Sequence, residues 1–289
     1  MTSVLIIMEV YVMRRVKHLA FLASVMTNLQ TVCLIQCSLK EQGMEHVAES
    51  LGGLPGLREL ELTASLNLGG KAGSWSMYLK QLKHLESLDL GWCSLVAEDI
   101  QHVAQSLGGL PNLRELNLSG NENLGGTAAS WSMYLKQLKH LESLHLGWCS
   151  LVAEDIKHVA QSLGGLPNLR ELKLSHNKNL GDGTAASWTM YLRQLKHLES
   201  LDLRECSLIG PDIEHVAEYL SSFVHLNLEG NTELGGTAAS WFVHLKKLKH
   251  LQMLNLAGCN LETGQELKHI AESLSDLPSL VELNLNFNF

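Results

Sequence analysis

Residues 84–124 read HLESLDLGWCSLVAEDIQHVAQSLGGLPNLRELNLSGNENL. The stretch contains two copies of the pattern LxxLxL, which begin at Leu85 and Leu113, with an amphipathic segment between them. The first copy leads to Cys93 and the second leads to Asn121. Self-similarity at a short fixed period decides the architecture, because each repeat buries its apolar face against its neighbours rather than in a central core.

The pattern recurs along the chain at intervals close to 28 residues. The intervals are 28 five times and then 29, 25, 28 and 29 residues. Two kinds of unit alternate: one carries Cys after the pattern and the other carries Asn, with Ser65 in place of the expected Asn. The first residues of the patterns are Leu29, Leu57, Leu85, Leu113, Leu141, Leu169, Leu198, Phe223, Leu251 and Leu280.

A helical segment follows each pattern. In the Cys units it reads like AEDIQHVAQSLGGLPN, with Ile100, Val103, Ala104 and Leu107 at helical spacing, and the Gly-Gly-Leu-Pro sequence ends the helix. In the Asn units it reads like TAASWSMYLKQLKH, whose apolar stripe predicts a second full helix containing Trp131 and Tyr134.

Strands that alternate with helices and have no hairpin turns between them predict a parallel sheet with right-handed crossovers. We therefore predict an α/β solenoid of horseshoe shape, with strands on the concave face and helices on the convex face. Residues 1–289 are expected to form a single domain, in which 1–28 is a partial first repeat and 29–289 contains ten alternating units. The segment from Ser221 to Val224 lacks the Gly-Gly-Leu-Pro turn and is expected to be locally irregular.

Composition excludes several kinds of partner. The chain has 289 residues, is 45% hydrophobic and has a formal net charge of −8, which argues against binding to nucleic acid or to an anionic membrane. No apolar stretch approaches the roughly 20 residues that span a bilayer. Arg14 and Arg15 follow the amino-terminal apolar run instead of preceding it, so the segment does not read as a secretory signal.

Five of the six cysteines occupy one repeat position and are predicted to be small buried side chains. They are Cys37, Cys93, Cys149, Cys206 and Cys259. Neither paired cysteine caps nor metal-binding Cys pairs occur, so free thiols predict a reducing compartment and a cytoplasmic protein.

The alternating 28- and 29-residue units with their Cys and Asn signatures resemble the ribonuclease-inhibitor class of leucine-rich repeats, and most of all the repeat region of NOD-like receptors. The resemblance implies a non-catalytic protein-recognition module of innate immunity, without cofactor, that binds a protein ligand on its concave face. Two alternatives remain: a stand-alone inhibitor of an enzyme, and a GTPase-activating repeat protein, for which no residue stands out.

Both ends of the sequence resemble interrupted repeats. Val4 and Ile6 align with the inward positions Leu60 and Leu62, 56 residues later, and the chain finishes one residue past Asn288. Neither end has a polar cap, so we expect a piece of a longer repeat protein, with end-to-end self-association of the isolated chain; an uncapped array is the alternative.

Polar repeat positions are interpreted first as structural. Most of the fourteen histidines recur every 56 residues or so, which separates copies by roughly 10 Å and is too far for shared metal ligation. The Asn side chains are expected to bond the backbone of the turn that leaves each strand. The alternation of Arg58, Glu86, Arg114 and Glu142 predicts ion pairs between adjacent strands.

Candidate contact residues come from comparing the two most similar stretches, 81–136 and 137–193. On the strands and the turns that leave them, the pairs that differ are Asp89/His145, Asn117/Lys173, Gly120/His176 and Glu122/Lys178. Each change adds positive or titratable charge, and either drift or selection of a binding surface explains it.

Trp92 and Trp148 precede the Cys positions and point out of the predicted core, with Gly120 at the same position between them. They would either anchor a partner beside a shallow cleft or fold down over the turn as lids. Trp75, Trp131, Trp188 and Trp241 lie on helix stripes and are predicted to be core residues. The predicted contact surface is Trp92, His145, Trp148, Lys173, His176 and Lys178.

Overall fold

The computed structural model describes residues 3–8, 25–37, 39–219, 223–261 and 264–288. The chain divides into two compact units: unit 1 is Met1–His145 with Leu166–Asn168, and unit 2 is Leu146–Gly165 with Leu169–Phe289. Arg14, Arg15 and two of the four residues predicted to be irregular, Ser221 and Ser222, lie outside the described residues.

Each unit contains a parallel sheet whose strands follow one another in chain order, which confirms the predicted α/β repeat class. The register pairs equivalent leucines: Leu60 with Leu88 and Leu116 in unit 1, and Leu201 with Leu226 in unit 2. The strands of unit 1 are β1 (Ser3–Met8), β2 (Leu29–Ile35), β3 (Glu59–Glu61), β4 (Ser87–Asp89), β5 (Glu115–Asn117) and β6 (Ser143–His145). Those of unit 2 are β7 (Glu171–Lys173), β8 (Ser200–Asp202), β9 (His225–Asn227), β10 (Met253–Asn255) and β11 (Glu282–Asn284).

The predicted alignment of β1 is wrong by one residue. Leu5, not Val4, pairs with the inward Val32, and Val4 and Ile6 are 47% and 60% exposed. The segment SVLIIM is apolar at both alternating sets of positions, so its composition does not say which set faces the core.

The helices after the Cys strands agree with the prediction. They are α1 (Glu41–Leu51), α3 (Ala97–Leu107), α5 (Ala153–Leu163), α7 (Gly210–Tyr219) and α9 (Gly264–Leu274). In α3 the predicted stripe from Ile100 to Leu107 is buried, and the helix ends at the C-cap Gly108.

The segments after the Asn strands are shorter than predicted. They are α2 (Ala72–Trp75), α4 (Ala128–Trp131), α6 (Ala185–Leu192) and α8 (Ala238–Leu245). In unit 1 the first two helices give way to 3₁₀ helices, Ser76–Gln81 and Ser132–Gln137. The prediction of a full helix in every repeat was therefore wrong. The change falls at a fully buried Trp131, where φ is −120° and ψ is −30°, and Tyr134 is only half-buried. Short 3₁₀ helices lie at Leu66–Leu68, Glu122–Leu124, Lys178–Leu180 and Thr232–Leu234.

The predicted core residues are buried. The four helix tryptophans are at most 1% exposed, and each indole Nε1 donates to a leucine carbonyl 2.9–3.1 Å away. The five repeat cysteines are also at most 1% exposed and have free thiols.

The repeat asparagines bond the turns as predicted. Asn121 Oδ1 accepts from the backbone N–H groups of Cys93 (3.2 Å) and Leu95 (2.9 Å), while Nδ2 donates to the carbonyls of Leu90 (3.1 Å) and Leu118 (2.6 Å). Asn177, Asn231 and Asn288 make the equivalent four bonds. Each amide thus joins two neighbouring turns inside the core.

Ser65 leaves this arrangement incomplete in one repeat. Its side chain is fully buried, and its Oγ has no hydrogen-bond partner among the described residues. We expect Ser65→Asn to stabilise the chain by about 1–3 kcal/mol, because an amide there would reach the turn around Cys37. Urea unfolding measures the change, and a loss of stability in Ser65→Asn would contradict the expectation.

A buried carboxylate connects the Cys-unit helices to the preceding loops, and the sequence did not reveal it. Asp99, 2% exposed, accepts from the backbone N–H groups of Gly70 (2.7 Å), Ala72 (2.8 Å) and Val96 (2.9 Å). Asp212 does the same in unit 2.

Asp99→Asn should cost about 2–3 kcal/mol, because all three N–H groups lose a charged acceptor and at least one of them is left facing the new amide NH₂, which is itself a donor. Glu98→Gln, an exposed neighbour on the same helix turn, is the matched control. Equal midpoints of the two variants in urea would contradict the role of the buried carboxylate.

Candidate recognition surface

The turns that leave β2 to β11 each have a left-handed residue at the position of Trp92. Its φ is 56°, and the equivalent residues are Gln36, Ala64, Gly120, Trp148, His176, Glu205, Gly230, Gly258 and Phe287. The conformation is uncommon for residues other than glycine. Here the left-handed conformation is stabilised because the backbone N–H extends the hydrogen-bond ladder to the next strand. Trp92 N donates to Ser119 O at 2.8 Å, and Trp148 N donates to Ser175 O at 2.9 Å. The side chains at this position are therefore presented on a fixed backbone.

Trp148 and His176 form a stacked pair in unit 2. Their ring centroids are 4.1 Å apart and their planes differ by 16°. Trp148 remains 40% exposed, so the indole is not a lid closed over the turn. On its other side His176 Nδ1 lies 3.1 Å from Glu205 Oε2, without the angle of a hydrogen bond, so the contact is an ion pair only when the ring is protonated.

Trp92 is packed differently in unit 1, where the next repeat carries glycine. A Cβ built on Gly120 would lie 2.2 Å from Trp92 Cδ2, so the indole rests directly on the glycine backbone. Trp92 is 42% exposed. The Gly120/His176 difference thus decides whether the indole lies on backbone or on an imidazole ring.

Two of the three remaining predicted contact residues, His145 and Lys173, have acidic neighbours. In unit 1, His145 Nε2 lies 3.0 Å from Ser143 Oγ and 3.5 Å from Glu115 Oε1. In unit 2, Lys173 Nζ lies 3.5 Å from Glu171, while Lys178 is exposed at the start of its 3₁₀ helix. Glu205 and the adjacent Arg204, which the sequence comparison did not single out, also belong to this surface; Arg204 lies 3.4 Å from Asp202.

The predicted charge ladder is present just before the strands. The pairs are Arg58–Glu86 at 2.9 Å, Arg114–Glu142 at 2.5 Å and Arg170–Glu199 at 3.2 Å. All six side chains are more than a third exposed, so each pair contributes at most about 1 kcal/mol.

Charge differs between the strand faces of the two units. The outward strand positions of unit 1 include Glu59, Glu61, Asp89 and Glu115. Those of unit 2 include Lys173 beside Glu171, Asp202 and Glu282. Within the described ranges no three His, Cys, Asp or Glu side chains are grouped to hold a metal ion, and no helix is long and apolar enough to cross a membrane.

Comparison with known proteins identifies the repeat. The family model described as "R13L1/DRL21 LRRs" matches residues 49–177 and, in an overlapping placement, 104–231. The chain is 31% identical over 271 residues to a ribonuclease inhibitor of Sus scrofa, which covers 90% of this chain and 58% of the inhibitor. It is also 26% identical to the NLR family CARD domain-containing protein 4 of Bos taurus, over 86% of this chain and 24% of that protein.

A third relative is the NACHT, LRR and PYD domains-containing protein 12 of Homo sapiens, 31% identical over 81% of this chain and 23% of its own length. The chain therefore spans a little over half of the inhibitor and about a quarter of the two larger proteins. Among solved structures, the leucine-rich repeat-containing protein LegL7 of Legionella pneumophila superposes with a TM-score of 0.69 at 16% identity, over 97% of this chain and 89% of LegL7. That likeness concerns the fold alone.

Proposed function

Because the chain belongs to the leucine-rich-repeat family, we propose that it is a non-catalytic protein-recognition module and forms the ligand-sensing repeat region of a NOD-like-receptor-type protein. The observation that carries the proposal is the Trp148–His176 stack: a large aromatic ring, exposed by two fifths, on a backbone held by the sheet's ladder. Large aromatic side chains on fixed backbone are the usual anchors of protein interfaces. The likeness to two receptor proteins over more than four fifths of this chain supports the receptor class.

The proposed contact residues are the predicted ones: Trp92 and His145 in unit 1, and Trp148, Lys173, His176 and Lys178 in unit 2. The structure adds carboxylates beside Lys173 and His176, so the surface of unit 2 is of mixed charge. Charge of this kind sets orientation and association rate more than affinity.

Photo-crosslinking in cells tests which face binds. Benzoylphenylalanine replaces Lys173 on the strand face or, as the matched control, Met190, which is 47% exposed on the helix side of the same unit. We expect a discrete protein adduct from position 173 that is absent from position 190. Adducts from position 190 alone would move the interface to the helices.

The likeness to ribonuclease inhibitor motivates a test of one alternative, in which the chain inhibits an enzyme. Hydrolysis of a fluorogenic RNA by a pancreatic-type ribonuclease, with and without the purified chain, measures this directly. Stoichiometric inhibition would replace the receptor proposal with the inhibitor one.

With the crosslinked protein in hand, Trp148→Ala should weaken binding by about 2 kcal/mol or more, because the indole is the largest exposed side chain of the unit 2 surface. Reversing Lys173 and Lys178 to Glu should mainly slow association and change its salt dependence. Met190→Ala is the control for a loss of exposed apolar area. Surface plasmon resonance at two salt concentrations separates these effects, and unchanged binding in all of the strand-face variants would place the interface elsewhere.

A further inference from the structure

The two exposed tryptophans lie on the same backbone conformation, but the side chains around them differ in charge. Trp92 and Trp148 have φ angles of 56° and 54° and nearly equal exposure, and both follow the sequence HLESL(D/H)LG. Exposed Glu122 begins the 3₁₀ helix beyond Trp92, and exposed Lys178 occupies the equivalent position beyond Trp148.

The other differences beside the two tryptophans also make the Trp148 surface more positive than the Trp92 surface. Asp89 and Asn117, joined by a hydrogen bond of 2.8 Å, lie on the strands below Trp92, whereas Lys173 replaces Asn117 in the later repeat. Glu171 and Glu205 offset part of the positive charge around Trp148. Among the positive side chains of this surface, Lys178 is therefore the best placed to pair with a carboxylate of a partner.

We propose that these are complementary halves of a self-association contact, in which the Trp92 surface of one copy of the chain docks on the Trp148 surface of a second copy. The pattern around Trp92 recurs around Trp148 with Lys178 in place of Glu122, so the two surfaces can pair across two copies: Glu122 of one copy faces Lys178 of the other. The shapes also differ, because Trp92 lies flat on Gly120 while Trp148 is raised on the ring of His176. This contact lies on the turns that leave the strands and does not involve the terminal repeats.

The contact goes beyond the recognition function and competes with it, since a ligand of Trp148 would displace the second copy. Opposite charges placed at an interface fix its register and suppress wrong pairings, while exposed aromatic rings supply most of the affinity. Drift of exposed positions, the other account of the differences, predicts a monomer at all concentrations.

A charge-exchange series tests the contact by sedimentation equilibrium of the whole chain. Glu122→Lys and Lys178→Glu should each weaken self-association about tenfold or more at low salt, because like charges then oppose. The double variant Glu122→Lys/Lys178→Glu should restore it to within about threefold, since it re-creates the opposite pair in exchanged positions. Trp92→Ala should weaken association in every charge background, and Met133→Ala, exposed on the helix side of unit 1, should not.

Far-ultraviolet circular dichroism checks that every variant is folded; the exchanged side chains are exposed, so loss of fold is not the expected cause of dissociation. A wild-type chain that is monomeric up to about 100 µM overturns the proposal, as does association that the double variant fails to restore. A monomer that still gives the strand-face crosslink would leave the recognition function standing.

Discussion

Replacing Asn121 with alanine should lower the free energy of unfolding by about 4 kcal/mol or more, because two buried N–H groups and two carbonyls lose their partners at roughly 1–3 kcal/mol each. The side chain is fully buried and joins the turn after β4 to the turn after β5. A loss of this size is a large part of the 5–15 kcal/mol that usually stabilises a domain. Urea unfolding followed by circular dichroism measures it.

Amide hydrogen exchange gives a local check that does not require two-state unfolding. The backbone N–H groups of Cys93 and Leu95 donate hydrogen bonds to Asn121 Oδ1. They should exchange much faster in the variant, because their acceptor is gone. Asn123→Ala removes the same amide from an exposed position two residues later and should change neither measurement. Full protection of Cys93 and Leu95 in Asn121→Ala would show that their protection does not depend on the Asn121 amide.

The core and the ladder could be predicted because they repeat. Leu88 and Leu116 pair in the predicted register, and Asn121 and Cys93 are buried as expected, since several copies of one pattern had to satisfy the same environment. The same argument failed for Val4 and Ile6, because β1 does not contain the LxxLxL pattern. The strand is apolar at both alternating sets of positions, so its composition does not determine which set faces the core.

The geometry of the candidate surface could not be predicted from local preferences. Trp92 and Trp148 adopt left-handed backbone conformations that their residue type disfavours, and the ladder bonds to the next strand outweigh that preference. Asp99 looked like an ordinary acidic residue in a first helical turn, whereas two of its donors are 27 and 29 residues earlier in the chain. Contacts at that separation leave no mark on a short sequence window.

Raising the pH should unfold the chain steeply above the ordinary pKa of a thiol. Burial raises the pKa of Cys93 from 9.0 to about 12, and burial likewise raises the pKa values of Cys206 and Cys259 to about 12. A thiol whose pKa is higher in the folded state contributes stability that is complete below pH 9.0 and is lost as the pH rises toward the folded pKa. Above the lower value the unfolded state has released the proton that the folded state keeps, so stability falls by about 1.4 kcal/mol per pH unit for each thiol.

The three thiols together should lower the free energy of unfolding by roughly 4 kcal/mol per pH unit between about pH 10 and 12. Cys93→Ala isolates one of them: its urea-derived stability should fall less steeply in this range, by about 1.4 kcal/mol per pH unit, while the two slopes coincide near neutral pH. Leu95→Ala, which truncates a fully buried side chain that does not titrate, should be less stable at every pH yet keep the wild-type slope. If Cys93→Ala and wild type lose stability in parallel up to pH 12, the thiol of Cys93 ionises as readily in the folded chain as in the unfolded one, and burial does not hold its proton.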